Sequence, residues 1–214
     1  MNIPDLATIY HEELKDAYDF EHQILDALPQ MAEAASNDDL RQAFEEHLRQ
    51  TQGQVERLEK VFQSLGKKPA RKHCDGMEGL IEEGEEIVEA DGDEEAIDAA
   101  LIAAAQRVEH YEMAAYGTLR TWARQLGHDD QAKLLQQTLD EEGKTDERLT
   151  RLAEGGINRQ AANGRERRQS RGTNGSGGSE KTKDELYEEA QALDIEGRSQ
   201  MSKEELARAV KRGR

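Results

Sequence analysis

Apolar side chains recur every three or four residues through most of residues 4–154, the spacing that places them on one face of an α-helix. The pattern predicts four long helices. The first covers about residues 4–35, with Leu6, Tyr10, Leu14, Ala17, Ile24, Leu28 and Met31 on its stripe. Pro4 suits a first turn, and Pro29 predicts a kink or two abutting helices. Ser36-Asn37-Asp38-Asp39 is a turn that opens the second, with Asn37 or Asp38 as N-cap. Its seam is Leu40, Phe44, His47, Thr51, Gln54, Leu58, Val61 and Leu65, apolar at both ends and polar in the middle, and Gly66 closes it. The third covers about residues 94–126, with Leu101, Ala105, Val108, Ala115, Leu119 and Trp122 inward and Gly127 at its end. The fourth runs from Asp129 to about Glu154, carries Leu135, Leu139, Leu149 and Leu152, and closes at Gly155-Gly156.

The second and third helices are separated by about 26 residues, where antiparallel neighbours in a bundle need about 2–8. The intervening stretch is a basic loop, GKKPARKHCD, followed by a shorter amphipathic helix over about residues 77–90. A connection that long predicts a crossover along the bundle, the topology of ferritin-like folds. The expected class is therefore all-α, with a four-helix bundle over residues 1–157 and the extra short helix in its crossover. Residues 158–179 are rich in Arg, Gly, Ser and Asn without periodicity and predict a flexible linker. In residues 180–214, Thr182/Glu185 and Ser202/Glu205 are capping boxes that open two short helices. Leu186, Ala190, Leu193, Ile195, Met201, Leu206 and Val210 supply a very small core for this helix–loop–helix.

The inward stripes carry groups that do not belong in an apolar core. Glu112 sits on the third stripe, four residues after Val108 and three before Ala115, and Glu109 flanks it. Glu21 sits on the first, His47 on the second, and Glu142 with Asp146 on the fourth. Any one of these acids reads equally well as a helix-edge group whose head reaches water, and His47 as a hydrogen-bonded core histidine. All four helices carrying such a group near mid-length is the informative coincidence. Carboxylates cannot share a dry core as anions unless they are protonated or bound to cations. A mostly oxygen ligand set with one imidazole suits iron or manganese better than zinc. The di-iron bundle pattern uses a Glu from each of two helices and a Glu-x-x-His from each of the others. Here that register falls on Thr51 and Gln54 in the second helix and on Glu142 and Thr145 in the fourth, so Asp146 is expected to take the histidine's role.

Composition agrees with the helical reading, with three prolines and 4% aromatics. One cysteine, Cys74, excludes an internal disulfide framework and a multi-cysteine zinc site. No window is apolar for the length of a bilayer span, and the N-terminus lacks the basic and apolar regions of a signal peptide, so a cytoplasmic location is expected and no membrane partner. The net charge of −17 is uneven. Residues 159–179 carry +4 and residues 180–214 carry −1, which leaves −20 on residues 1–158. The acidic body disfavours nucleic acid, whereas the Arg-rich linker could contact phosphates.

The stretches HLRQTQGQVERLE (47–59), MEGLIEE (77–83), RVEHYEMAAYGTLRTWARQLGH (107–128) and LLQQTLDEEGKTDERL (134–149) resemble the YciE/YciF family of ferritin-like stress proteins. The resemblance covers about residues 5–157. It implies a rubrerythrin-like four-helix bundle with an additional short helix, a homodimer, and a metal site. Glu21, His47, Gln54, Glu109, Glu112, Glu142 and Asp146 fall at the family's inward polar positions. Arg49-Gln50 stands where family members often carry Glu-Glu. Residues 181–212 resemble the helix–loop–helix of Rho N-terminal and SAP-type modules, which implies binding to nucleic acid. The expectation is a stress-response protein with a dinuclear iron or manganese site handling iron or peroxide. The alternative is a metal-free structural protein that its C-terminal module tethers to nucleic acid or to a protein.

Overall fold

The structure, a computed structural model, describes residues 3–164, 183–193, 195 and 201–213. Every regular element among them is helical. The chain divides into two units, residues 1–164 and 165–214.

In the first unit α1 (Leu6–Ala34), α2 (Asp38–Ser64), α4 (Glu94–Gln125) and α5 (Asp129–Leu152) are the long helices, and α3 (Asp75–Val88) lies in the crossover. α1 pairs with α2 and α4 with α5; α2 packs on α5, and α3 on α1 and α4. The two hairpin turns are short, as the caps dictate. Asn37 accepts the N–H groups of Asp39 and Leu40 to start α2. Gly66 and Gly127 adopt φ of 68° and 78° and end α2 and α4 in Schellman turns, with Lys67 N–H bonding Phe62 C=O and His128 N–H bonding Ala123 C=O. Pro4 lies before the first turn rather than in it: α1 starts at Leu6 with Asp5 as N-cap, accepting Thr8 N–H at 2.8 Å. α1 continues through Pro29 as one helix.

One core runs the length of the bundle, with Leu14, Phe20, Leu40, Leu58, Leu101, Leu119 and Leu135 nearly inaccessible. Two buried acids outside the predicted stripes hold the connections. Asp98 of α4 accepts Ser36 N–H at 2.9 Å, Ser36 hydroxyl at 2.6 Å and Asn37 N–H at 3.0 Å, so the α1–α2 turn is tied to α4. Asp19 of α1 accepts Arg71 at 2.7 Å, Cys74 N–H at 2.9 Å and Gln23 at 2.7 Å, which pins the start of the crossover. Burial alone would raise the pKa of Asp19, but Gln23, Cys74 N–H and Arg71 together hold it below the usual carboxylate value. α3 then meets α4 so closely that a Cβ on Gly76 would sit 2.9 Å from Tyr111 Oη.

The end of α5 departs from the sequence reading. The helix does not close at Gly155-Gly156; it widens into a π turn, Ala153–Ile157, with extended φ at Gly156, and resumes over residues 158–164. The segment expected to be linker from 158 is therefore helical for its first seven residues. The remainder of that expected linker and the Thr182/Glu185 box lie outside the described residues. Among the described residues no helix is long and apolar enough to cross a membrane.

In the second unit α6 (Lys183–Ala192) and α7 (Lys203–Gly213) enclose Leu186, Ala190, Leu206 and Val210, with Ile195 and Met201 against them. Leu193, expected in this core, is exposed. The Ser202 box is formed: Glu205 N–H bonds Ser202 Oγ at 3.3 Å, and Ser202 N–H bonds the Glu205 carboxylate at 2.8 Å.

Asp98→Ala removes a buried acceptor and leaves two N–H groups of the α1–α2 turn without it. Denaturant unfolding is expected to show a loss of about 1.5–3 kcal/mol, the range for hydrogen bonds to a charged group. An unchanged midpoint would show that the turn is held by other contacts.

Candidate metal centre

The polar middle of the α2 seam meets the acidic stripe of α4 and the Glu142 face of α5. His47, Glu109, Glu112 and Glu142 each offer one ligand atom, and these atoms lie within 4.8 Å of one another. All four residues are buried. His47 Nε2 lies 3.3 Å from Glu109 Oε1 and 3.8 Å from Glu142 Oε2. The spacing is local in origin. Glu109 and Glu112 are three residues apart on α4, so they share a face, and Tyr116 follows one turn later.

Glu21 of α1 is fully buried but lies outside this group of four. Its Oε1 accepts the hydroxyl of Tyr116, and its Oε2 has no partner. Glu142 Oε1 accepts the side-chain amide of Gln54, which also donates to Glu141 at 3.2 Å. Arg57 grips Glu141 with two bonds of 3.0 and 2.9 Å and donates to Thr138 at 2.6 Å. Arg57, Glu141, Gln54 and Glu142 thus form a chain that orients the last carboxylate. Tyr116, Arg57 and Glu141 were not singled out in the sequence. Tyr116 has a signal in hindsight, a polar-tipped ring one turn beyond Glu112 on the same stripe.

Asp146 is not brought into the group. It is half-buried between α4 and α5, accepting Gln106 at 2.9 Å with His110 Nε2 at 3.4 Å. Four residues advance a helix by about 400°, so Asp146 is turned about 40° from Glu142, and α4 offers it polar partners there. Thr145, at the register of the missing histidine, donates to Gln50 at 3.3 Å and to its own helix at Glu141 C=O. Thr51 is buried and bonds the His47 carbonyl at 2.9 Å, so its hydroxyl is spent on α2.

The electrostatics are those of acids packed without enough counter-charge. Burial, and then the charge of Glu142, pushes the carboxyls of Glu21, Glu109 and Glu112 well above the ordinary value. Burial also raises Glu142, while His47 pulls it down. Burial and the adjacent Glu21 keep Tyr116 a phenol, able to donate. Even so, both oxygens of Glu112, Oε2 of Glu109 and Glu142, and both ring nitrogens of His47 have no hydrogen-bond partner. Buried oxygen and imidazole acceptors aimed at one another and unsatisfied are what a cation would complete. This group can hold a metal ion. A second group, His73, Asp75 and Glu78 at the start of α3, is exposed.

Residues 5–162 match the family described as a domain of unknown function, DUF892. Protein YciF of Escherichia coli (strain K12) is 49% identical over 164 residues, covering 76% of this chain and 99% of its own length. The crystal structure of the E. coli stress protein YciF superposes with a TM-score of 0.69 at 47% identity, covering 76% of this chain and 98% of that one. A Xanthomonas campestris protein, at 21% identity and a TM-score of 0.56 over 77% of this chain and 98% of its own, shares the fold. The second unit lies outside the family match. The chain belongs to the DUF892 family, of which the YciF stress protein is a homologue, as the four stretches of sequence had implied.

Proposed function

We propose that this protein is a cytoplasmic, ferritin-like metalloprotein that handles iron or peroxide under stress, using a carboxylate-rich dinuclear site for iron or manganese. The observation that supports this most directly is the set of buried atoms on His47, Glu109, Glu112 and Glu142 that have no hydrogen-bond partner in the protein. These four would hold one ion, and Glu21, with a free oxygen and a raised pKa tied to Glu142, would supply a carboxylate for a second. Such a metal pair supplies Lewis-acid or redox chemistry toward an oxygen-containing ligand. The chain's own residues do the rest. Gln54 orients Glu142, Tyr116 donates to Glu21, and the surrounding apolar side chains exclude water. With Asp146 turned aside, one imidazole serves a site of four carboxylates, which favours hard cations.

The C-terminal unit and the Arg-rich segment before it fit a tether to nucleic acid, and the bundle is proposed to act as a homodimer. The metal-free tethered protein is the second reading. Deleting residues 165–214 is expected to abolish a low-salt gel shift with duplex DNA or RNA while leaving metal binding intact. No shift by the full chain would remove the nucleic-acid role.

Two measurements test the metal site. Protein purified aerobically without chelators is expected to carry iron or manganese by mass spectrometry, and Glu112→Ala to carry none. Gln54→Ala keeps every proposed ligand and should weaken manganese binding about tenfold or more, the usual cost of losing a group that orients a ligand. Equal, trace metal in wild type and Glu112→Ala would overturn the proposal.

The metal-free protein has its own signature. A carboxyl whose pKa is raised by folding holds its proton more tightly in the folded chain. As pH rises above the ordinary 4.5, the unfolded chain ionises first and this contribution to stability is lost. Glu112→Gln removes one such group. Without metal, its stability relative to wild type should therefore increase as pH rises above the ordinary carboxylate range, read by thermal unfolding. A constant difference would mean that Glu112 titrates normally.

A further inference from the structure

An apolar cavity of about 40 Å³ lies between α1, α3 and α4 and ends on the metal layer. Ile24, Leu28, Phe44, Leu80 and Val108 form its walls, and His47 and Glu109 are the polar groups at its inner end. It reaches the surface beside Gln30 and Glu85, both exposed, where α3 lies over the gap between α1 and α4. Gly84 is buried in that part of α3, and a Cβ there would meet only Ala104 Cβ, at 4.0 Å. The glycine is thus not demanded by backbone conformation or by a steric clash. Its consequence is open space beside the cavity.

The size and lining decide the occupant. A cavity needs about 10–15 Å³ to hold one water-sized molecule, and an engineered apolar cavity of about 150 Å³ takes benzene. This one is too small for an aromatic ring or an alkyl chain. It is also a poor site for water or hydrogen peroxide. A buried water needs two to four polar partners; the apolar walls provide none, and His47 and Glu109 stand only at the inner end. A diatomic, apolar gas satisfies both limits.

We propose that this cavity is a binding and entry site for dioxygen, which it delivers to the His47–Glu109 side of the metal layer, and that Gly84 keeps it open. The identity of the oxidant rests on the metal reading above, whereas the gas site itself does not. It assigns dioxygen rather than hydrogen peroxide as the ligand that enters by this path. Gly84→Leu fills the space from α3, and a leucine also favours helix over glycine. Ala27→Phe blocks the mouth from α1, where Ala27 is half-buried and lines the cavity.

The test uses the full-length, metal-free protein with xenon and dioxygen as probes. Methyl resonances of Ile24, Leu28, Leu80 and Val108 are expected to shift saturably with xenon pressure, and to relax faster under dioxygen. Both responses should be lost in Gly84→Leu and in Ala27→Phe, and hydrogen peroxide should give no saturable shift. Absence of a xenon response in wild type, or an undiminished response in both variants, overturns the gas site. A saturable shift with hydrogen peroxide overturns the selection for dioxygen. The metal content, measured separately, decides the fate of the metal reading without affecting this result.

Discussion

The placement of several carboxyl groups in one layer closed to solvent is the constraint on which this fold turns. An isolated buried carboxylate costs several kcal/mol even after relaxation, and Glu21, Glu109, Glu112 and Glu142 are all buried here. The chain meets that cost in two ways. It holds protons on these groups, as their raised pKa values indicate, and it surrounds them with donors, Tyr116 on one and Gln54 on another. The second device does not reach Glu112, whose two oxygens remain without partners. An all-apolar layer of the same volume would make a more stable bundle. The acids are therefore a feature that packing alone does not explain.

The hydrophobic residues above and below the layer make that arrangement tolerable. Leu14, Phe20, Leu40, Leu58, Leu101, Leu119, Leu135 and Leu149 form one continuous core with the layer inside it. The buried ties at Asp98 and Asp19 secure the turn and the crossover. The helices consequently come together in one register, and the ligand atoms meet within a few ångströms rather than merely sharing a level.

Much of this was legible in the sequence because it is periodic. The long helices, their glycine stops at Gly66 and Gly127, and the inward positions of Glu21, His47, Glu112 and Glu142 follow from a repeat of 3.6 residues and from capping chemistry. What escaped depends on distant partners or on small rotations. Asp19 and Asp98 fall outside the apolar stripes, and the donors that explain them lie 52 and 62 residues away at Arg71 and Ser36. Asp146 lies near the right face, but Gln106 and His110 draw it outward. The Gly155-Gly156 pair has the composition of a helix stop, yet neither residue takes the left-handed conformation that such a stop requires, so the helix widens and goes on. A cavity is invisible in any one stripe, since it is what several stripes fail to fill.

The fastening of α3 has a consequence of its own. Its leading end is clamped, by Asp19 through Arg71 and the Cys74 amide and by the close approach of Gly76 to Tyr111. Beyond Gly84 it has only half-buried contacts, Ile87 and Val88. A helix held at one end and loosely packed at the other opens by local unfolding from the loose end, at a free energy below that of the whole domain. Amide hydrogen exchange along α3 would then be graded, slow near Met77 and fast toward Val88. Such opening of the crossover would leave the buried carboxylate layer and its ties in place.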